Sequence, residues 1–187
     1  MKTALVFGAS GQIGAPLVDR LQRDEWSIVA VSRGQRDDVP GLAWKQGDFA
    51  GVADLPRRAD VLFCCGPLDL FAHWYADARI EAARVVAFGS TSVHVKGEST
   101  DPAERDLAAR LRAGEQRLLA AASERGTRAT VLRPTLVYGR GRDATLSRIA
   151  ALAQRYGRFP LPRGADGLRQ PVHADDLADA AYAAARA

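Results

Sequence analysis

Three glycines at three-residue intervals stand near the start of the chain, where Gly8, Gly11 and Gly14 follow the apolar run 3–7. A helical pattern begins directly after them, so the order predicts a strand, a tight turn and a helix. Without a Cβ, Gly11 lets a diphosphate approach the main chain, and the helix start favours its negative charge. In this context a phosphate-binding loop is favoured over an ordinary glycine-rich βα loop. The predicted contacts are Gly8, Ser10, Gly11, Gln12, Ile13 and Gly14.

Ser32 and Arg33 stand at the end of the second predicted strand, residues 27–32, and Arg33 comes nineteen positions after Gly14. In dinucleotide-binding folds an Asp or Glu at this position binds the ribose 2′-hydroxyl of NAD, whereas an Arg suits the 2′-phosphate of NADP. A guanidinium forms paired hydrogen bonds to phosphate. The residues therefore predict NADP, with NAD as the other possibility. Arg36 could share this role, and the alternative is that Arg33 is an ordinary surface arginine.

Two further turns contain residues that suit a cofactor. Asp48 could accept a hydrogen bond from an adenine amino group, with Phe49 against the ring; the alternative is a plain turn aspartate, and the residues do not decide between the two. The apolar run 61–65 ends in a Gly-Pro pair, which suits a chain that passes beneath a cofactor. Cys65 and Gly66 are therefore predicted to contact it. We predict no metal site.

These residues must be positioned by alternating strands and helices. Strands are predicted at 3–7, 27–32, 43–46, 61–65, 84–89 and 130–132, and helices at 12–23, 54–58, 68–83, 103–124, 143–156 and from about 174, with a Pro- and Gly-rich loop at 159–169. This alternation predicts an α/β fold, a Rossmann-type doubly wound parallel sheet with strand order 3-2-1-4-5-6 and helices on both faces. We expect a single domain over 1–187 with little or no separate substrate domain, residues 134–187 contributing to the substrate side.

Composition and charge limit the possible classes. The chain has 187 residues, of which 47% are hydrophobic, and no apolar run is long enough to span a membrane. A strand starting at Thr3 leaves no room for a signal peptide, and the adjacent Cys64 and Cys65 point to opposite faces of a strand, so we expect a cytoplasmic protein without disulfides. The net charge is +4, but acidic residues lie among the arginines. We therefore expect neither a nucleic-acid nor a membrane partner.

Taken together, several stretches resemble the extended short-chain dehydrogenase/reductase superfamily, in its NAD-dependent epimerase/dehydratase branch. They are Gly8–Gly14, Gly47–Asp48, Ser90–His94, Leu132–Gly139 and Pro171–Ala178. The resemblance places Ser90 at the position of a catalytic serine and His94 where a tyrosine is usual. It also implies that Arg133 and Pro134 lie near the nicotinamide and the substrate.

The main departure from that family concerns catalysis. The family has a Tyr and a Lys four residues apart on the helix after the fifth strand, followed by a Glu. Counting back from Glu115 puts Leu111 at the lysine position and Leu107 at the tyrosine position, and the only lysines of the chain, at 2, 45 and 96, lie elsewhere. Neither leucine can donate a proton. The candidates for proton transfer are then His94, Tyr138 and His173, or water.

Two classes of function follow from this departure. The first is an NAD(P)-binding oxidoreductase or epimerase that acts on a small carbonyl, hydroxyl or sugar-type substrate with a nonstandard acid/base and with Ser90 on a substrate oxygen. The alternative is a non-catalytic NADP(H)-binding redox sensor or regulatory protein. The helix over 103–124 could form the face of a homodimer. Members of the family usually continue into a smaller substrate domain, so either the substrate pocket is small and open or the chain is truncated.

Overall fold

The structure is a computed structural model that describes residues 1–141, 143, 146–158 and 170–187, and the predicted loop at 159–169 lies outside these residues. Strands and helices alternate along much of the described chain. They are β1 (Thr3–Phe7), α1 (Gly14–Arg23), β2 (Ser27–Ser32), β3 (Leu42–Asp48), β4 (Gly51–Val52), β5 (Arg58–Cys64), α2 (Leu68–Asp77), β6 (Glu81–Phe88), α3 (Ser92–Val95), α4 (Pro102–Glu124), β7 (Arg128–Leu132), β8 (Val137–Tyr138), α5 (Leu146–Tyr156), β9 (Val172–His173) and α6 (Ala174–Ala184).

Seven strands form one sheet in the order β4-β3-β2-β1-β5-β6-β7. Every pair is parallel except β3 with β4, a two-residue antiparallel addition at the edge. When β4 is set aside, the order is the predicted 3-2-1-4-5-6, so the predicted topology is confirmed. The strands β8 and β9 pair in parallel outside this sheet.

Alternating side chains of the strands divide the core into two layers. From β1, Ala4 and Val6 face α1 and α6, whereas Leu5 and Phe7 face α2 and α4. All four side chains are buried. This is the pattern of a parallel sheet covered on both faces, in which neighbouring residues of a strand point in opposite directions. The sheet therefore presents its carboxyl ends, where loops begin, as the free edge at which ligands bind in such folds.

Two predicted helices differ from the observed ones. No helix forms at 54–58, where Asp54 has φ 55° and Pro56 follows closely. The predicted helix 68–83 ends at Asp77, because Glu81 N–H donates to Arg57 carbonyl oxygen and begins β6. The connection from β3 to β5 therefore packs Phe49, Val52 and Leu55 against the sheet without a helix. One face of α2 lines a cavity at the carboxyl ends of the strands.

No helix within the described ranges has both the length and the hydropathy needed to cross a bilayer.

Asp60 connects the start of β1 to β5. Its Oδ2 accepts hydrogen bonds from the backbone N–H of Thr3 at 2.6 Å and from the Thr3 hydroxyl at 2.9 Å. The main-chain bond, followed by the hydroxyl bond, lowers the pKa of Asp60 below its ordinary 3.8. A carboxyl whose pKa is lowered in the folded state stabilises the fold above its unfolded pKa, and loses that contribution as the pH falls through the folded value.

We therefore expect Asp60→Asn to lower the free energy of unfolding at pH 7 by about 1 kcal/mol, because an amide accepts these bonds less well than a carboxylate. The difference from the wild type should shrink below about pH 4. Urea unfolding at pH 7 and pH 3 measures both values. Asp37→Asn, an exposed loop change, is the control, and an equal loss at both pH values would contradict the role given to the Asp60 charge.

Candidate functional site

The loop between β1 and α1 is a close contact between backbones. Gly8 has φ 69°, and a Cβ built on it would lie 2.8 Å from the carbonyl carbon of Cys65 at the end of β5. A Cβ on Gly14 would overlap the carbonyl oxygen of Gly8. The turn closes with a 2.9 Å hydrogen bond from Gly11 N–H to that same oxygen. Side chains are excluded at these positions, so the main chain itself forms the surface of the loop.

The helix α1 begins at Gly14 with neither a side-chain cap nor an acidic residue in its first turn. Unsatisfied N–H groups and the positive end of the dipole at such a start suit an anion. The geometry thus fits the diphosphate role predicted for this loop.

A cavity of about 830 Å³ lies beside this loop at the carboxyl ends of the strands. It brings together residues from four separate connections. The predicted cofactor contacts on its wall are Gly8, Ser10, Gly11, Ser32, Arg33, Asp48, Phe49, Cys65 and Gly66. Its volume falls within the range of small-molecule sites. The predicted contacts Gln12, Ile13, Gly14, Arg133 and Pro134 are not on this wall.

Polar groups at the end of β2 form one rim of the cavity. Ser32 is 6% exposed, and its Oγ lies 3.0 Å from Oγ of Ser10 in the glycine loop. Arg33 is exposed, and its backbone carbonyl oxygen accepts a 3.2 Å hydrogen bond from Nε2 of Gln46. The guanidinium of Arg36 instead stacks on Trp44, 4.9 Å from the ring centroid. This rim therefore presents hydroxyl groups and the cation of Arg33.

Aromatic side chains form the opposite wall. The ring of Phe49 stacks on Phe7 with centroids 5.0 Å apart, and Trp74 lies 4.4 Å from Phe7. A Cβ on Gly66 would come within 3.3 Å of the Phe49 ring, so the lack of a side chain at Gly66 leaves room for this ring. Oδ1 of Asp48 accepts from the N–H of Ala50, an ordinary turn contact. The wall is flat and apolar, and such a surface suits a planar base.

Sequence reasoning missed one side of this cavity. Leu70, His73, Trp74 and Asp77 of α2 all line it. Their spacing of three, four and seven residues was a signal that they share one helix face. No periodicity in α2 itself encodes that this face lines a cavity rather than packs against another element.

Neither cysteine is a reactive thiol in this structure. Burial raises the pKa of the Cys64 thiol to about 12 and that of Cys65 well above its ordinary value. A thiolate is the nucleophilic form, so both side chains remain neutral at physiological pH. Cys65 contributes shape to the cavity wall.

A second group of predicted residues lies at the ends of β6 and β7. The hydroxyl of Ser90 donates to Ser92 Oγ at 3.1 Å and accepts from Ser92 N–H at 3.2 Å. The N–H of Thr91 donates to the carbonyl of Pro134 at 3.1 Å. His94, on the short α3, is exposed. The structure therefore places the segment that contains Ser90 beside the segment 133–134.

Arg133 is held by a buried carboxylate. Glu115 of α4 is 4% exposed, and its two oxygens accept from Nε of Arg133 at 3.0 Å and from Nη2 at 2.5 Å. A Cβ on Gly89 would lie 2.6 Å from Glu115 Oε1, so the carboxylate fits because that residue is glycine. The Glu115 bond raises the pKa of Arg133, which keeps a permanent cation at this edge.

Leu111 and Leu107 lie on the same face of α4 as Glu115, one turn and two turns closer to the start of the helix, respectively. Both are half-buried, and Leu111 packs against the apolar layer that contains Leu118. The two positions that the resemblance assigns to the Lys and the Tyr are thus on the inward side of the helix and carry aliphatic side chains.

Tyr138 and His173 form a third group on β8 and β9, with ring centroids 5.0 Å apart. Nδ1 of His173 accepts from the N–H of Asp175 and caps α6, so this ring has a structural role. Tyr138 is 36% exposed. Within the described residues, no hydrogen bond joins this pair to Ser90 or His94. The four catalytic candidates therefore form separate groups.

The parallel sheet, the glycine loop and the cavity at the strands' carboxyl ends define a Rossmann-type protein. A family model described as the NAD dependent epimerase/dehydratase family matches residues 66–187, well over half of the chain. The chain belongs to that family. The match begins after the glycine loop, so the identity of the loop depends on its sequence and geometry. No curated protein matches the chain.

Solved structures share the fold. One is MoeE5 in complex with UDP-glucose and NAD, with 23% identity, 98% of this chain and 71% of that chain covered, and a TM-score of 0.73. An NAD dependent NDP-hexosamine 5,6-dehydratase, TunA, has 16% identity, coverage of 99% and 72%, and a TM-score of 0.77. UDP-glucuronic acid 4-epimerase from Bacillus cereus has 17% identity, coverage of 99% and 73%, and a TM-score of 0.70.

The contact between Gly14 and Gly8 gives a direct test of the loop. We expect Gly14→Ala to lower dinucleotide affinity at least tenfold, because the added methyl overlaps the Gly8 carbonyl oxygen and displaces the loop. Fluorescence titration with NADPH and NADH measures the affinity. Gly51→Ala is the matched control, since a Cβ there meets nothing within 4 Å. Unchanged affinity in Gly14→Ala would contradict the role given to the loop.

Proposed function

We propose that this protein binds a nicotinamide dinucleotide and acts as an oxidoreductase or epimerase on a small carbonyl, hydroxyl or sugar-type substrate. The observation that carries the proposal is the cavity whose wall combines Gly8 and Gly11 with Ser32, Phe49 and Gly66. Adenosine would occupy this cavity, and the diphosphate would lie on the loop 8–14. The neighbouring structures bound to NAD and UDP-sugars support the same substrate class.

The residues fit such a group by their chemistry. The glycines let β1, α1 and the end of β5 approach closely, so the start of α1 lies at the loop, where it suits a diphosphate, and an apolar wall suits adenine. When bound, the dinucleotide supplies hydride chemistry, and the protein supplies binding, orientation and electrostatics. Residues 134–187 would contribute to the substrate side.

The rim at the end of β2 favours NADP over NAD. Arg33 and the Ser10–Ser32 hydroxyl pair can bind a 2′-phosphate, and no Asp or Glu occupies these positions. The nearest downstream acid with a defined partner, Asp38, has its Oδ1 bonded to Trp44 N–H at 2.6 Å. Its carboxylate is therefore engaged with β3 rather than with a ribose.

Arg33→Ala should weaken NADPH binding at least tenfold and NADH binding less than threefold, because only NADPH has a 2′-phosphate for the Arg33 guanidinium to bind. Isothermal or fluorescence titration of both cofactors measures the ratio. Arg58→Ala, an exposed change at the opposite end of the sheet, is the control. Equal losses for the two cofactors would refute the assignment of Arg33.

At the other half of the site, Ser90 would donate a hydrogen bond to a substrate oxygen, and the guanidinium of Arg133, held in place by Glu115, would lie nearby. The proton would come from His94, Tyr138 or water. His173 is the weakest candidate, because its Nδ1 caps α6 and its Nε2 faces Gly139. Leu107 and Leu111 cannot take part in proton transfer.

Ser90→Ala should then lower kcat/KM with an NADPH-dependent carbonyl substrate at least tenfold and leave NADPH affinity within twofold, because Ser90 is not on the cavity wall. Steady-state kinetics and titration give the two values. Ser123→Ala, exposed on α4, is the matched control. If Ser90→Ala lost cofactor affinity instead, Ser90 would belong to the dinucleotide site.

The second candidate function is a redox sensor that binds NADP(H) without turnover. The aliphatic stripe of Leu107 and Leu111 supports it, since the usual acid/base pair is replaced by packing residues. A screen of carbonyl and sugar-nucleotide substrates separates the two. Tight NADPH binding with no turnover, together with a cofactor-dependent change in oligomeric state, would favour the sensor.

A further inference from the structure

The side chain of Gln12 leaves the glycine loop and reaches β8. Its Nε2 lies 3.3 Å from the carbonyl oxygen of Gly139 and 3.5 Å from that of Val137. Carbonyl oxygens only accept, so the side-chain amide must present its NH₂ group to them. The main chain of the same residue stands in the loop between Gly11 and Gly14. One residue therefore touches both the predicted diphosphate site and the segment that contains Tyr138.

The far end of this segment is attached to two helices. Nε of Arg140 donates to Asp175 of α6 at 2.8 Å, and Nη1 donates to Asp19 of α1 at 3.2 Å. Gly139 has φ 102° and lies so close to the His173 ring that a Cβ would overlap it. With its end held in this way, the short segment has little freedom to absorb a displacement at Gln12. A displacement of the glycine loop would therefore displace the carbonyl groups of Val137 and Gly139, on either side of Tyr138.

We infer that Gln12 is a positioning residue for Tyr138, coupling dinucleotide occupancy of the glycine loop to the order of β8. The inference rests on the proposed function, because it requires a dinucleotide on the loop. A bound diphosphate would fix the loop main chain, and the Gln12 amide would then fix the carbonyl groups of Val137 and Gly139. Local opening of β8 would become rarer when the cofactor is bound.

The test is amide hydrogen exchange of the full chain, free and saturated with NADPH or NADH, measured by mass spectrometry. We expect the cofactor to slow exchange in the segment 136–140 at least fivefold in the wild type. In Gln12→Met, which keeps the side-chain length but has no donor, this slowing should fall below twofold when exchange is measured at a dinucleotide concentration that saturates the variant. Gln12→Asn, which is too short to reach β8, should behave in the same way and serves if the first variant fails to fold.

Gln22→Met, an exposed change on α1, is the matched control and should retain the wild-type response. Binding with no slowing at 136–140 in the wild type overturns the inference alone. Equal slowing in Gln12→Met and the wild type also overturns it. Failure of the wild type to bind either dinucleotide, seen in the accompanying titration, overturns the proposed function and the inference together.

Discussion

The contact between backbones at the start of α1 is the constraint on which the rest of the site depends. Gly8 lies against the carbonyl of Cys65, and Gly14 lies against the carbonyl of Gly8. These contacts join β1, β5 and α1 at the centre of the sheet, where the strand order changes direction. Connections leave toward opposite sides there, so a crevice opens at the carboxyl ends of the strands. Any side chain at either glycine would separate the elements that form it.

The crevice has two unlike halves. The half beside β1, β2 and β3 is a cavity with aromatic and aliphatic walls and a cationic rim at Arg33. The half beside β6 and β7 is polar, with Ser90 and Ser92 near Arg133. An apolar enclosure suits the binding of a planar base, whereas exposed hydroxyl groups and a fixed guanidinium suit orientation of a polar substrate. The proposed function requires such a contrast, with dinucleotide binding on the first side and the chemistry on the second.

Membership of the family does not by itself assign the chemistry of this chain, since one fold supports many reactions. The buried carboxylate of Glu115 and the partly exposed guanidinium of Arg133 form an ion pair that connects α4 to the end of β7. Leu111, one turn from Glu115, and Leu107, two turns from it, put apolar groups where the resemblance places an acid/base pair. The enzyme and sensor proposals both start from the same proposed cofactor site and differ in the consequence that they draw from these two leucines.

Local patterns were sufficient for much of the architecture. The glycine spacing, the β-branched run at 27–32 and the apolar periodicity of α4 each depend on residues close together in sequence, and they predicted the strand order and the cofactor half of the site. The continuous apolar run of β1 is likewise typical of a strand that is buried on both faces. The site roles themselves remain predictions that the experiments above address.

The sequence by itself determined which residues stand at the carboxyl edge of the sheet. These residues follow the ends of parallel strands, and the carboxyl ends of parallel strands lie at the same edge. Only the tertiary structure decided how side chains from distant segments combine. The α2 face with Trp74 lines the cavity, the gap at Gly89 admits Glu115, and Gln12 reaches Gly139. Each depends on the space left by another segment, and no local periodicity encodes that space.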